Sequence, residues 1–173
     1  PQFPAAAKGK KALYINAYHP GYAWSDVEQK AAEAVLKQAG VEYQVFYMDT
    51  KQKNSPEQIK DSAESARKTI DEYKPAVVIL QDDNPVKHIF LPWYRNTDLP
   101  FVFCGVNWDC GRYDLPCKNV TGMLEVSLIP QILDTVRPLA KGTRIALLGN
   151  DNETDRMEGV MIPKRFGVQW SQE

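Results

Sequence analysis

The chain has 173 residues, 43% of them hydrophobic and 25% charged, with a formal net charge of −1. This globular composition excludes a disordered chain, and the interspersed acids and bases exclude a nucleic-acid surface, which needs a concentrated basic face. No apolar run approaches the roughly 20 residues that cross a bilayer.

Residues 1–11 (PQFPAAAKGKK) have no periodicity and are expected to form a linker or a mature N-terminus left by processing. Ala12 to Ala17 (ALYINA) predicts the first strand. Ser25 to Glu28 (SDVE) reads as a capping box opening a helix whose apolar face is Ala31, Ala32, Ala34, Val35 and Leu36. Gly40 is placed to stop it. Glu42 to Met48 alternates and predicts the second strand, and Ser55-Pro56-Glu57-Gln58 opens a second helix. Pro75 ends that helix. Ala76 to Leu80 (AVVIL) is the continuous branched run of a strand buried on both faces. Asn84-Pro85 predicts a third helix start, and Phe101 to Cys104 a fourth strand. Further strands are expected at Val120 to Leu124, Arg144 to Leu148 and Gly167 to Trp170, with helices at Ile129 to Leu139 and Thr154 to Met161. Strand and helix alternate throughout, which predicts right-handed crossovers and a doubly wound parallel α/β sheet with helices on both faces.

In such a sheet, ligands bind outside the carboxyl ends of the strands. Asn16 to Trp24 follow the first strand, Gln81 to Asn84 the third, and Gly105 to Asp109 the fourth. Amides, carboxylates and aromatic rings crowd these segments, as in a small-molecule pocket. Tyr18, Tyr22, Trp24 and Trp108 could stack on a sugar or aromatic ring, or simply cover the sheet edge. Asp82 and Asp83 could grip an ammonium or hydroxyls, or one could cap the following helix. His19 could donate to a ligand or brace its loop.

Signals for catalysis are missing. The sequence has no G-x-G-x-x-G after the first strand, no P-loop, no G-x-S-x-G and no His/Cys/Glu set at metal spacing. The two histidines, His19 and His88, have no nucleophile beside them, and Cys104 follows a buried strand. A phospho-receiver site would need acids after the first strand, where Asn16 stands. The chain is therefore expected to be a binding protein, not an enzyme, with no cofactor and no metal. Cys110 and Cys117 bracket a short loop that a disulfide could close, which would place the protein outside the cytoplasm; two reduced thiols are the alternative.

Several segments, in order, resemble one family: LYINAYHPGYAWSD (Leu13 to Asp26), FYMDTK (Phe46 to Lys51), KPAVVILQDDN (Lys74 to Asn84), FVFCGVN (Phe101 to Asn107) and NVTGMLE (Asn119 to Glu125). They are similar to the substrate-binding proteins of a bacterial ABC-transporter family with the type I periplasmic-binding-protein fold, which also serves as extracytoplasmic sensor domains of histidine kinases and diguanylate cyclases. The resemblance implies two α/β lobes closing on a ligand. Residues 12–124 would form the first lobe, and residues 125–173 the crossover and the start of a second, apparently truncated lobe. It implies an extracytoplasmic, periplasmic solute-binding protein, with ABC-transporter membrane subunits as partners. A sensor input domain is the alternative. Carried onto this chain, the ligand-binding residues would be Asn16, Tyr18, His19, Trp24, Asp82, Asp83, Asn84, Asn107 and Trp108.

Overall fold

The computed structural model describes residues 7–142 and 144–169. Five strands, β1 (Lys11–Asn16), β2 (Glu42–Tyr47), β3 (Val77–Gln81), β4 (Phe101–Asn107) and β5 (Val120–Glu125), form one sheet in the order β2-β1-β3-β4-β5. Every pairing is parallel. The chain divides into two compact units, Pro1–Glu125 and Val126–Glu173.

Strand alternation sorts the helices onto two faces of the sheet. Leu13, Ile15, Val78, Leu80, Phe101 and Phe103 point to one face. They pack on Ala63, Ala66 and Ile70 of α2 (Pro56–Tyr73) and on Val86, Ile89 and Phe90 of a π-helix (Val86–Tyr94). The intervening Asn16 points to the other face, where it bonds Gln29 of α1 (Ala23–Gln38). The result is the doubly wound arrangement that the alternating pattern predicts. Strand order reverses between β1 and β3, so the carboxyl ends of these two strands flank the crevice in which such sheets hold ligands.

Helix starts test the capping logic. Ser55 accepts from the Gln58 amide at 3.2 Å while Gln58 Oε1 accepts from the Ser55 amide at 3.3 Å, with Pro56 at the first helical position. The predicted box therefore forms. The SDVE box does not. Tyr22 carbonyl accepts from the Asp26 amide at 3.0 Å, so the helix begins at Ala23 and Ser25 is buried inside its first turn. There the Ser25 hydroxyl donates to Tyr22 carbonyl at 3.2 Å. The third helix is capped two residues before Asn84, by one of the aspartate pair, as one reading of that pair allowed. Asp82, not Asn84, accepts from the Asp83 amide, and α3 (Asp83–Pro85) runs straight into the π-helix.

In the second unit, α4 (Ile129–Val136) stops before Leu139, because Pro138 has no N–H to donate to Asp134. α5 (Glu153–Phe166) is capped by Asn152, which accepts from the Asp155 amide at 2.8 Å. The strand expected over Arg144 to Leu148 is absent: these residues are irregular and exposed. A strand needs a neighbour to satisfy its backbone, and no strand occurs among the described residues of this unit. Gly167, expected to open a last strand, instead ends α5 in a left-handed conformation (φ 66°), its amide donating to Pro163 carbonyl at 2.9 Å. Trp170 lies outside the described residues. No helix among the described residues is long and apolar enough to cross a membrane.

Candidate functional site at the carboxyl edge of the sheet

The strand exits share an unusual backbone. Asp49 after β2 (φ 59°), Asp82 after β3 (φ 80°) and Trp108 after β4 (φ 59°) are all left-handed non-glycine residues. Asp82 also has ψ 176°, a region that essentially only glycine visits, at a cost of order 1–3 kcal/mol for a side-chain-bearing residue. Left-handed backbone at the same edge of three strands of one sheet marks a place where side-chain aim matters more than backbone comfort.

Asp82 is the centre of the edge and only 6% exposed. One carboxylate oxygen receives the Tyr18 hydroxyl and the other the Asp83 amide. The Tyr18–Asp82 contact thus spans the crevice between β1 and β3. Burial pushes the Asp82 carboxyl up to about 6, and the neighbouring Asp83 charge adds to this, while the Tyr18 hydroxyl, the Asp83 amide and the Lys51 ammonium pull it down. Burial, and then the Asp82 charge, push the Tyr18 phenol far above its ordinary value, so it remains a donor.

Asn16 fixes the loop that carries Tyr18. Its Oδ1 accepts from the Tyr18 amide at 2.8 Å and its Nδ2 donates to Gln29 Oε1 at 3.0 Å, so both ends of this buried amide are used within the protein. The Tyr18 ring lies 4.8 Å from that of Tyr22 and 5.9 Å from that of Trp24. Trp24 lies over β4 because position 105 is glycine. A Cβ on Gly105 would sit 3.1 Å from the indole ring, and the backbone there is left-handed (φ 72°). The Lys51 ammonium stands above the tyrosines, 4.8 Å from the Tyr18 centroid and 5.6 Å from that of Tyr22.

Asp83 acts as a clamp on the loop after β4. Its Oδ2 accepts from the Asn107 amide at 3.2 Å and from Asn107 Nδ2 at 2.9 Å. Its Oδ1 accepts from Tyr113 Oη at 2.9 Å and from the Arg112 guanidinium. Asn84 donates to Thr50 Oγ1 at 2.9 Å, and Thr50 Oγ1 in turn donates to Ala17 carbonyl at 2.8 Å, joining the loops after β1, β2 and β3. His19 Nδ1 lies 3.4 Å from Asp49 Oδ1.

The structure brings Tyr18, Trp24 and Asp82 together, and gives Asn16, Asp83, Asn84 and Asn107 hydrogen-bond partners that hold the loops, while the buried His19 Nδ1 and Asp49 Oδ1 make no hydrogen bond. Trp108 is buried at 2% exposure, and its backbone amide donates to Glu125 carbonyl at 2.8 Å. The bridge expected between Cys110 and Cys117 is not made. Cys110 Sγ lies 3.3 Å from Leu115 carbonyl and Cys117 Sγ 3.7 Å from Asn119 Oδ1, and all three cysteines are free. No group of three or more His, Cys, Asp and Glu placed to hold a metal occurs among the described residues.

Position after a strand finds most of this site, although the sequence candidates come from only three of the five strand exits on this edge. The loop after β2 supplies Asp49, Thr50 and Lys51, which the same rule selects when extended to it. Arg112 and Tyr113 lie too far along their loop for any strand-exit rule to reach them.

No family model matches the chain, and no curated protein matches it. Among solved structures, it is similar to the ligand-free, open structure of a substrate-binding protein with adhesive properties from Clostridium difficile. Sequence identity is 16% and the TM-score 0.60, over 91% of this chain and 53% of that one. The chain spans about half the length of that protein, and the likeness shows the fold: an α/β architecture also found in a substrate-binding protein.

Proposed function

We propose that the chain contains the ligand-binding α/β lobe of an extracytoplasmic solute-binding protein of an ABC importer. It holds a small polar or aromatic molecule at the carboxyl edge of the sheet and presents it to the membrane subunits of the transporter. The carrying observation is the buried Asp82–Tyr18 pair at the strand-order reversal, walled by the Tyr22 and Trp24 rings. A buried carboxylate beside flat aromatic faces suits a solute with both an apolar surface and hydrogen-bond donors. The ordered family-like segments of the sequence and the substrate-binding protein of similar fold support the same reading.

The test is thermal unfolding of the protein with a panel of amino acids, sugars and nucleosides. A ligand at one hundred times its dissociation constant stabilises by about 2.7 kcal/mol, which raises the midpoint by roughly 5–10 °C for a chain of this size. Asp82→Ala should abolish the shift without preventing folding. A panel that leaves the midpoint unmoved throughout would count against solute binding.

A further inference from the structure

The ring faces of the site already hold a cation. Lys51 is exposed, yet its ammonium stands over both tyrosine rings, at 4.8 Å and 5.6 Å from their centroids. The two rings are tilted by 56° to one another, with the edge of Trp24 beside them. The electron-rich faces of such rings attract ammonium groups. Behind the Tyr18 ring, its hydroxyl ends on the Asp82 carboxylate.

The surrounding charges are differently placed. Asp83 is met by the Arg112 guanidinium, and Asp49 by Lys53 at 3.8 Å. Glu28 accepts from Gln81 Nε2 at 2.9 Å. The buried charge of Asp82 is met by a hydroxyl and an amide, with the Lys51 ammonium acting on it from a distance. A negative charge behind aromatic rings, balanced by a solvent-exposed and flexible lysine, leaves that balance open to exchange.

Resting on the solute-binding reading above, we propose that the ligand carries an ammonium group on a compact apolar or aromatic body, and that this ammonium displaces that of Lys51 from the Tyr18 and Tyr22 faces. Lys51 then extends into solvent, and the charge balance at Asp82 is kept. The lysine is a resident competitor that weakens binding of cations and leaves neutral solutes unaffected.

Benzylamine and benzyl alcohol, alike in shape and differing in charge at neutral pH, are the probes. Their dissociation constants are measured by NMR titration of the full chain, in the wild type and in the Lys51→Ala and Lys53→Ala variants. Expected is at least tenfold tighter binding of the amine than of the alcohol. Lys51→Ala should tighten the amine several-fold and leave the alcohol unchanged, while Lys53→Ala, the same charge change two residues away, should do neither. Equal binding of amine and alcohol overturns the cationic class and leaves solute binding standing. An equal gain in both lysine variants overturns displacement from the rings, because general electrostatics would then suffice. No gain in Lys51→Ala overturns it as well. If neither probe binds any variant while the thermal panel still finds a ligand, the inference alone fails; if the panel also finds none, the solute-binding reading fails with it.

Discussion

Asp82→Asn replaces a buried charged group with a neutral one of the same shape, and its effect can be worked from the structure. Burial raises the carboxyl from 3.8 to about 6, a difference of about two pH units. At 1.36 kcal/mol per unit, ionised Asp82 costs the fold about 3 kcal/mol relative to its neutral form. The sign follows from linkage. The folded state holds the proton more tightly than the unfolded chain, so between about pH 4 and 6 folding takes up a proton, and this group's contribution to stability grows as pH falls. Above about pH 6 the full penalty applies; below about pH 4 none remains. The substituted amide cannot titrate, so the variant should be more stable than the wild type by up to about 3 kcal/mol at pH 8, with the gap closing towards pH 4. Urea unfolding of both proteins from pH 4 to 8 measures that gap, and other titrating groups cancel in the difference. A gap of constant size across this range would refute the burial argument, as would a variant less stable than the wild type at pH 8.

Three further comparisons test the backbone and the packing. Because Asp82 sits at φ 80°, ψ 176°, Asp82→Gly should be more stable than Asp82→Ala by about 1–3 kcal/mol in urea unfolding, the order of a residue costing glycine nothing and alanine its strain. A Cβ at position 122 would lie 2.2 Å from Phe103 carbonyl, so Gly122→Ala should destabilise by about 3 kcal/mol or more, seen as a large fall in thermal midpoint. Ser55→Ala breaks the reciprocal capping of α2 and should cost about 1 kcal/mol, read as a lowered urea midpoint with unchanged slope.

How much of the fold is legible in the sequence depends on how local the cause is. The run AVVIL appears as β3, buried on the face of Val78 and Leu80 and half-buried on that of Val77 and Ile79, and Ser55 caps α2 because its partner is three residues away. The start of α1 is not legible in this way. SDVE satisfies the capping pattern, but the turn from His19 to Tyr22 delivers the chain to the helix three residues sooner, its Tyr22 amide donating to His19 carbonyl at 3.3 Å. RIALL has the composition of a buried strand, yet composition carries no information about whether a neighbouring strand exists to pair with it. The π-helix escapes sequence patterning too, since its wider turn and internal Pro92 have no distinct hydrophobic period. At the site, position after a strand identifies Tyr18 and Asp82. It cannot tell that Trp108, at the left-handed turn after β4, is buried.

The polar residues of the edge divide by what their atoms already do. Asn16, Asp83, Asn84 and Asn107 have amide or carboxylate atoms bonded to neighbouring elements and loops, so they fix where the loops of this edge stand. Asp82 is different. It caps a helix of only three residues before the π-helix begins, a task that asparagine or serine performs as well without a buried charge. The fold nevertheless carries that charge at a cost of about 3 kcal/mol, on a backbone conformation with a cost of its own. Stability given up twice at one residue, at the crevice between β1 and β3, returns within the chain only the cap on α3 and the bond from the Tyr18 hydroxyl. It becomes intelligible if the return comes on binding, when a ligand cation takes the place of the exposed Lys51 ammonium that otherwise acts on this carboxylate from a distance. That account makes a demand on Asp82→Asn beyond its stability. The variant that folds best should bind an ammonium-bearing solute worst, and a variant gaining stability with undiminished affinity would leave the cost of Asp82 unexplained.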